Sequence, residues 1–373
     1  MVGASLCFLL LFVYTGGFQP TTGGQNQSPP YSQPGGSTIN ITPIPDDPTL
    51  AEAVAAKTLP SVVNIDVYIR TPAGYSGTSP SWDDSTSDRN LMEYSLGSGV
   101  VLTEDGYILT NYHVVEGGDE FMVRFDADTQ LRATLFGADP SSDLAILKVN
   151  ATGLTPIDIG DSSALAVGEW VMALGSPFGL DKTVSVGVVS ALFRSTTLDG
   201  VNELTIYANM IQTDAAINPG NSGGALVNKR GELIGINTLI VTPTGSSAGI
   251  GFAIPINYAY NVAQQIMDGK KVEHAFLGVH MTTIDPSNAN KYGSTVNAGA
   301  YIDQVVSGSP AEHAGLRRGD IIVKVGNTRV GTATEVVLEI RGYFVGDTVS
   351  VEIVRNGETM LLEVMLGSDV DNY

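Results

Sequence analysis

The chain holds one cysteine, four histidines and 19 basic residues among 373, and each scarcity excludes something. With Cys7 alone, no intramolecular disulfide can form. Cys7 also lies in the apolar N-terminal segment, so a cysteine nucleophile is set aside. Nineteen Lys and Arg against 39 Asp and Glu leave a formal charge of −20. So acidic a surface repels phosphate backbones, which argues against nucleic acid as a partner. The apolar run "LCFLLLFVY", residues 6–14, is shorter than the roughly 20 residues that span a bilayer. It has the length of a signal-peptide hydrophobic region, yet no Lys or Arg precedes Lys57. Residues 1–15 are therefore expected to be a signal segment or the tail of a longer membrane anchor, either of which places the protein outside the cytoplasm.

What the chain has in quantity is glycine, 43 residues, with 43% hydrophobic and 16% charged residues. That is a globular composition with many tight turns. Residues 16–47, rich in Gly, Pro, Ser, Thr and Gln, read as a linker. "DPTLAEAVAAKTLPSVVNIDV" reads as a short helix and then a strand from about Ser61. From there to about residue 255, short β-branched runs recur between turn signals, among them "GSGVVL", "DLAILKV" and "TVSVGVVSAL". Many short strands without alternating helices predict one or two antiparallel barrels. "INYAYNVAQQIM", residues 256–267, closes the unit as a helix, giving a domain over 48–268.

Residues 275–367 have another character. Ser309 as cap, Pro310 in the first helical position and Gly315 as terminator predict a short helix. Thr332 and Glu335 have capping-box spacing for a second helix ending at Gly342. Hairpin turns at Gly326-Asn327 and Asn356-Gly357 complete a small α+β domain.

One serine stands out. "INPGNSGGAL", residues 217–226, fits the G-x-S-x-G elbow of α/β-hydrolases, but the stretch after Ser222 reads as strand, turn, strand, where an elbow needs a helix. A serine hydroxyl needs a base, ordinarily histidine. Of His113, His274, His280 and His313, only His113 lies in the β-rich domain with Ser222. The order His, Asp, Ser is that of the chymotrypsin triad. Asp143, opening the apolar run "DLAILKV", is the first candidate for the carboxylate; Asp139, beside Pro140, is the second. Gly220, lacking a side chain, can turn its N–H with that of Ser222 toward a developing oxyanion.

"TNYHVV", "SSDLAILKV" and "TDAAINPGNSGGAL" closely resemble the HtrA/Deg family of serine proteases, and "ALGSPFGL" and "GIGFAIP" are similar to further blocks of it. "FLGV" and "SPAEHAGLRRGD" resemble the single PDZ domain that family carries. The resemblance implies a mainly β fold, a chymotrypsin-like double β-barrel followed by a small α+β PDZ domain. It implies that His113 is general base, Asp143 its orienter and Ser222 the nucleophile. Gly220, Asn221 and Ser222 match the oxyanion loop, Ala216 and Ile217 a wall of the specificity pocket, and Arg194 a regulatory loop. Phe276, Leu277, Gly278 and Val279 match the loop that captures a peptide's C-terminal carboxylate. The partners implied are unfolded polypeptides, C-terminal peptides and two further copies of the chain, in a homotrimer. No ATP, metal or other cofactor is implied, and neither a Walker A string nor H-E-x-x-H occurs. A chaperone or PDZ scaffold with a resting active site is the alternative. The polar insert at residues 71–90, with Asp83, Asp84 and Asp88, reads as a solvated loop.

Overall fold

A computed structural model describes residues 49–70, 91–126, 128–176, 182–199, 204–218, 220–238 and 249–370. The apolar N-terminus, the linker and the insert with its three aspartates lie outside them. Helix α1 (Leu50–Thr58) opens with a capping box between Thr49 and Glu52. Strands β1 (Val62–Arg70), β2 (Leu91–Val101), β3 (Tyr107–Thr110), β4 (Glu120–Arg124), β5 (Gln130–Asp139) and β6 (Leu144–Val149) follow, with the single helical turn α2 (Tyr112–Val115) after β3. They close into a barrel in the order β1-β2-β3-β6-β5-β4.

The two-residue period of a strand sends alternate side chains to opposite faces, and both faces of this barrel are used. Val63, Ile65 and Val67 of β1, with Leu147 and Val149 of β6, fill the barrel interior. Val62, Leu144 and Ile146 point the other way, into a seam shared with Met172, Leu174 and Met210. Leu144 and Ile146 are fully buried there, each contributing about 1.5–3 kcal/mol, so the seam fixes one barrel against the next.

The second barrel comprises β8 (Trp170–Gly175), β9 (Thr183–Asp199), β10 (Leu204–Thr213), β11 (Ala225–Asn228), β12 (Glu232–Thr238) and β13 (Gly251–Pro255). Its order is β11-β8-β9-β10-β13-β12, closed by pairing of β11 with β12, while the short β7 (Asp158–Ile159) pairs in parallel with β12. Helix α3 (Ile256–Met267) lays Ile256, Ala259, Val262, Ala263 and Ile266 into the seam.

The C-terminal domain has a five-stranded path, β15 (Val279–Ile284), β16 (Gly299–Val305), β17 (Ile321–Val325), β19 (Thr348–Arg355) and β20 (Glu358–Met365), with β18 (Thr328–Arg329) on β17. The short β14 (Ala275–Phe276) and β21 (Gly367–Ser368) pair with each other. Helix α4 (Pro310–His313) is capped by Ser309, and α5 (Ala333–Arg341) by Thr332. Glu335 reaches back to the Gly331 N–H, one residue before the cap. The fold is therefore mainly β, a double barrel followed by a PDZ-like α+β domain.

The two parts meet at a buried polar junction. His274 Nε2 lies 3.0 Å from Asp139 Oδ2 and 3.0 Å from Ser141 Oγ. Its Nδ1 is 3.1 Å from the Tyr258 hydroxyl, and its backbone N–H donates to Asp369 Oδ1 at 2.9 Å. Asp369 in turn pairs with Arg341 at 3.2 Å. Burial raises the Asp139 pKa, but the hydrogen bond and charge of His274, with hydrogen bonds from Ser142 and Ser141, outweigh it, so the net shift is downward. A carboxylate depressed on folding stabilises the fold above its ordinary pKa and loses that contribution as pH falls through the folded value. We expect Asp139→Asn to cost about 2–3 kcal/mol at pH 7 and to flatten the acid side of the stability profile in denaturant melts. An unchanged midpoint would contradict this role for the junction.

Candidate active site

His113 stands on the one helical turn that follows β3. Val114 and Val115, each 2% exposed, root that turn in the first barrel. The Tyr112 N–H and Asn111 Nδ2 both donate to the Asp143 carbonyl, at 3.1 and 3.0 Å. Asp143 itself ends the 3-10 turn Pro140–Ser142 with φ 56°, a left-handed conformation uncommon outside glycine, in which Asn and Asp are enriched. That turn swings the carboxylate under the imidazole.

The carboxylate is almost completely buried, and four donors meet it. Oδ1 accepts the His113 backbone N–H at 2.9 Å. Oδ2 lies 2.8 Å from His113 Nδ1 and accepts the Tyr207 hydroxyl at 2.8 Å and the Thr238 hydroxyl at 3.3 Å. With Nδ1–H donating to Asp143, the neutral imidazole keeps Nε2 as an acceptor. Burial lowers the His113 pKa, but the hydrogen bond and charge of Asp143, helped by Glu116, raise it above its ordinary value. Asp139, the second candidate carboxylate, is committed to His274 in the junction instead.

The loop of Ser222 comes to β2 of the first barrel from the second barrel. The Ser222 carbonyl accepts the Ser98 N–H at 2.8 Å. A Cβ on Gly97 would stand 2.7 Å from Val114 Cγ1 and 3.2 Å from the Ser222 carbonyl, so the turn of His113 and the serine loop converge on this glycine. Ser98 binds the loop twice, since its hydroxyl also donates to the Gly220 carbonyl at 2.6 Å. Thr110 Oγ1 fixes Ser98 by donating to its carbonyl at 2.7 Å. Sequence reading missed Ser98, Tyr207 and Thr238, because a polar residue within an apolar strand carries no mark of its partner.

Around Ser222 the structure sorts the matched residues. Gly220 has φ +98°, a conformation that favours glycine. The Asn221 N–H donates to the Asn218 carbonyl at 2.9 Å, within the same loop. The Ala216 N–H donates to Ser185 Oγ at 2.8 Å. Ile217 is only 2% exposed and packs with Val189, Ile211 and Ala253 in the second barrel core. Gly251, without a side chain, leaves the space that Ile217 fills, since a Cβ there would lie 2.9 Å from Ile217 Cδ1. Arg194 lies on β9 opposite Met210, and its side chain is outside the described residues.

In the C-terminal domain, Phe276, Leu277, Gly278 and Val279 border a cavity of about 220 Å³, with Val336 and Ile340 of α5 on the far side. The Gly278 carbonyl accepts the Val306 N–H at 2.9 Å and the Ser309 hydroxyl at 3.2 Å. No group of three metal-ligating side chains occurs among the described residues. None of their helices is long and apolar enough to cross a membrane.

The double barrel, with the His113–Asp143 pair and the loop of Ser222 both set against β2, defines a class, a trypsin-like peptidase domain joined to a PDZ-like module. Residues 97–236 match the model of the trypsin-like peptidase domain and residues 275–366 that of the PDZ domain. The Synechocystis protein that carries the name serine protease HhoB is 38% identical, over 94% of this chain and 92% of its own length. A Pseudomonas putida protein named as a DegP-like periplasmic serine endoprotease is 41% identical over 76% of this chain. The chain spans 58% of that relative's length. The solved structure of the HtrA-type protease AlgW with a decapeptide superimposes with a TM-score of 0.63, at 34% identity, covering 86% of this chain and 98% of that one. The chain belongs to the HtrA family of serine proteases.

With four histidines, imidazole titrations by NMR are readily resolved. The His113 midpoint is expected above 6.5, its ordinary value, and to fall in Asp143→Asn. An unmoved midpoint in that variant would show that the carboxylate does not set the charge of the imidazole.

Proposed function

We propose that this chain is an ATP-independent serine endopeptidase that degrades misfolded or damaged proteins outside the cytoplasm. The observation that carries the reading is the saturated carboxylate beneath His113, on the turn that meets the loop of Ser222. In the reaction, His113 Nε2 takes the Ser222 proton as the hydroxyl oxygen attacks the scissile carbonyl, and later returns it to the leaving amine. Asp143 remains ionised, fixes the tautomer and stabilises the imidazolium. The N–H groups of Gly220 and Ser222 are the donors for the oxyanion. Ala216 lies beside the substrate side chain, and without an acidic residue there cleavage follows small or medium aliphatic residues.

Residues 48–268 form the protease domain and 275–367 the PDZ domain, with a linker at 16–47 and a signal or anchor at 1–15. The PDZ domain regulates the protease by taking C-terminal peptides at Phe276–Val279, and Arg194 belongs to the loop that senses the activated state. The assembly is a homotrimer. The names of the relatives, a periplasmic endoprotease and a peptide-bound HtrA-type protease, support the setting and the peptide partner. A purely scaffolding or chaperone role leaves the four donors on Asp143 without a purpose.

Ser222→Ala should lower casein digestion by a factor on the order of 10⁶; equal activity in the two proteins sinks the assignment. A peptide with an apolar C-terminus should bind the full chain and raise its rate. Unchanged kinetics after deletion of residues 275–367 would refute regulation by that domain.

A further inference from the structure

The tyrosine on the buried carboxylate stands two residues from a contact with the C-terminal domain. Tyr207 is 5% exposed, and its hydroxyl donates to Asp143 Oδ2 at 2.8 Å, on the same oxygen as His113 Nδ1. Burial and the Asp143 charge both push the phenol pKa upward, so the group is a proton donor throughout the working pH range. The ring is aimed by an irregularity in β10. Tyr207 pairs with Thr196 of β9 and Met210 with Arg194, and the register shifts between them. Ala208 and Asn209 occupy that shift, and Asn209 takes the left-handed conformation at φ 53°. Bulges of this kind re-aim a side chain at the cost of ladder pairing.

The bulge is seated by α5. Ala208 is buried against Leu338, and a Cβ on Gly342, at the end of α5, would overlap Asn209 Nδ2. The same helix presents Val336 and Ile340 to the cavity behind Phe276–Val279. One short helix therefore touches the peptide groove on one side and the two residues after Tyr207 on the other.

The geometry points to Tyr207 as a positioning residue for the His113–Asp143 pair, held in register by helix α5 of the PDZ domain. This rests on the serine-protease reading above. Its hydroxyl fixes one oxygen of Asp143 and draws negative charge away from the His113 Nδ1–H. Without it, the carboxylate holds the imidazolium proton more tightly and its orientation loosens. His113 then becomes the free base only at higher pH, and a smaller share of molecules is correctly aligned.

The test is the pH dependence of kcat and kcat/KM of the full chain on a chromogenic peptide, in wild type, Tyr207→Phe, Leu338→Ala and the double variant, with Ser222→Ala as blank. Tyr207→Phe keeps the ring and its packing and removes only the donor. We expect kcat to fall about 10-fold, the loss of one hydrogen bond to a charged group, with KM little changed and the acid limb of kcat/KM moved to higher pH. Leu338→Ala should shift the same limb in the same direction by less, and add nothing in the Tyr207→Phe background. An acid limb in Tyr207→Phe that stays in place or moves to lower pH overturns the positioning role. Independent, additive shifts in the double variant overturn the part assigned to α5. Activity of wild type above the Ser222→Ala blank is the separate check on the protease reading itself.

Discussion

Everything at this site depends on one buried negative charge. An ionised carboxylate withdrawn from water is tolerated only when donors replace its hydration shell. Asp143 meets that requirement with groups drawn from three places: the backbone and ring of His113, the hydroxyl of Tyr207 on β10, and that of Thr238 on β12. Two of the three belong to the second barrel. The carboxylate of the first barrel is thus completed by the second, so the pair can exist only where the barrels meet.

The serine loop obeys a matching constraint. It belongs to the second barrel but is tied to the first by the two hydrogen bonds to Ser98, and Gly97 keeps the gap between them narrow. The apolar seam explains why this reciprocity holds. Leu144 and Ile146, immediately after Asp143, are locked among Met172, Leu174 and Met210, so moving the carboxylate relative to the second barrel means opening a packed core. The junction around His274 extends the same logic to the C-terminal domain, since Asp139 begins the turn that delivers Asp143.

Much of this was legible in the chain itself. The apolar run of β6, the Ser309 and Thr332 caps, the scarcity of histidine and the glycines around Ser222 are signals carried by the residues themselves, and such signals survive in sequence. What could not be read depends on partners far along the chain. Tyr207 and Thr238 meet Asp143 across separations of 64 and 95 residues, and nothing near either residue announces it. The apolar run after Asp143 ranks it ahead of Asp139 as the partner of His113, but only the fold shows that Asp139 pairs with His274. The packing of Ile217 against a bare Gly251 is likewise set by the fold.

The claim that a buried, donor-saturated Asp143 activates Ser222 is tested most directly by covalent labelling with a fluorophosphonate, followed by peptide mass mapping. The account predicts a single adduct, on Ser222, forming about 10⁴-fold more slowly in Asp143→Asn. Equal labelling rates in the two proteins, or an adduct on another residue, would contradict it.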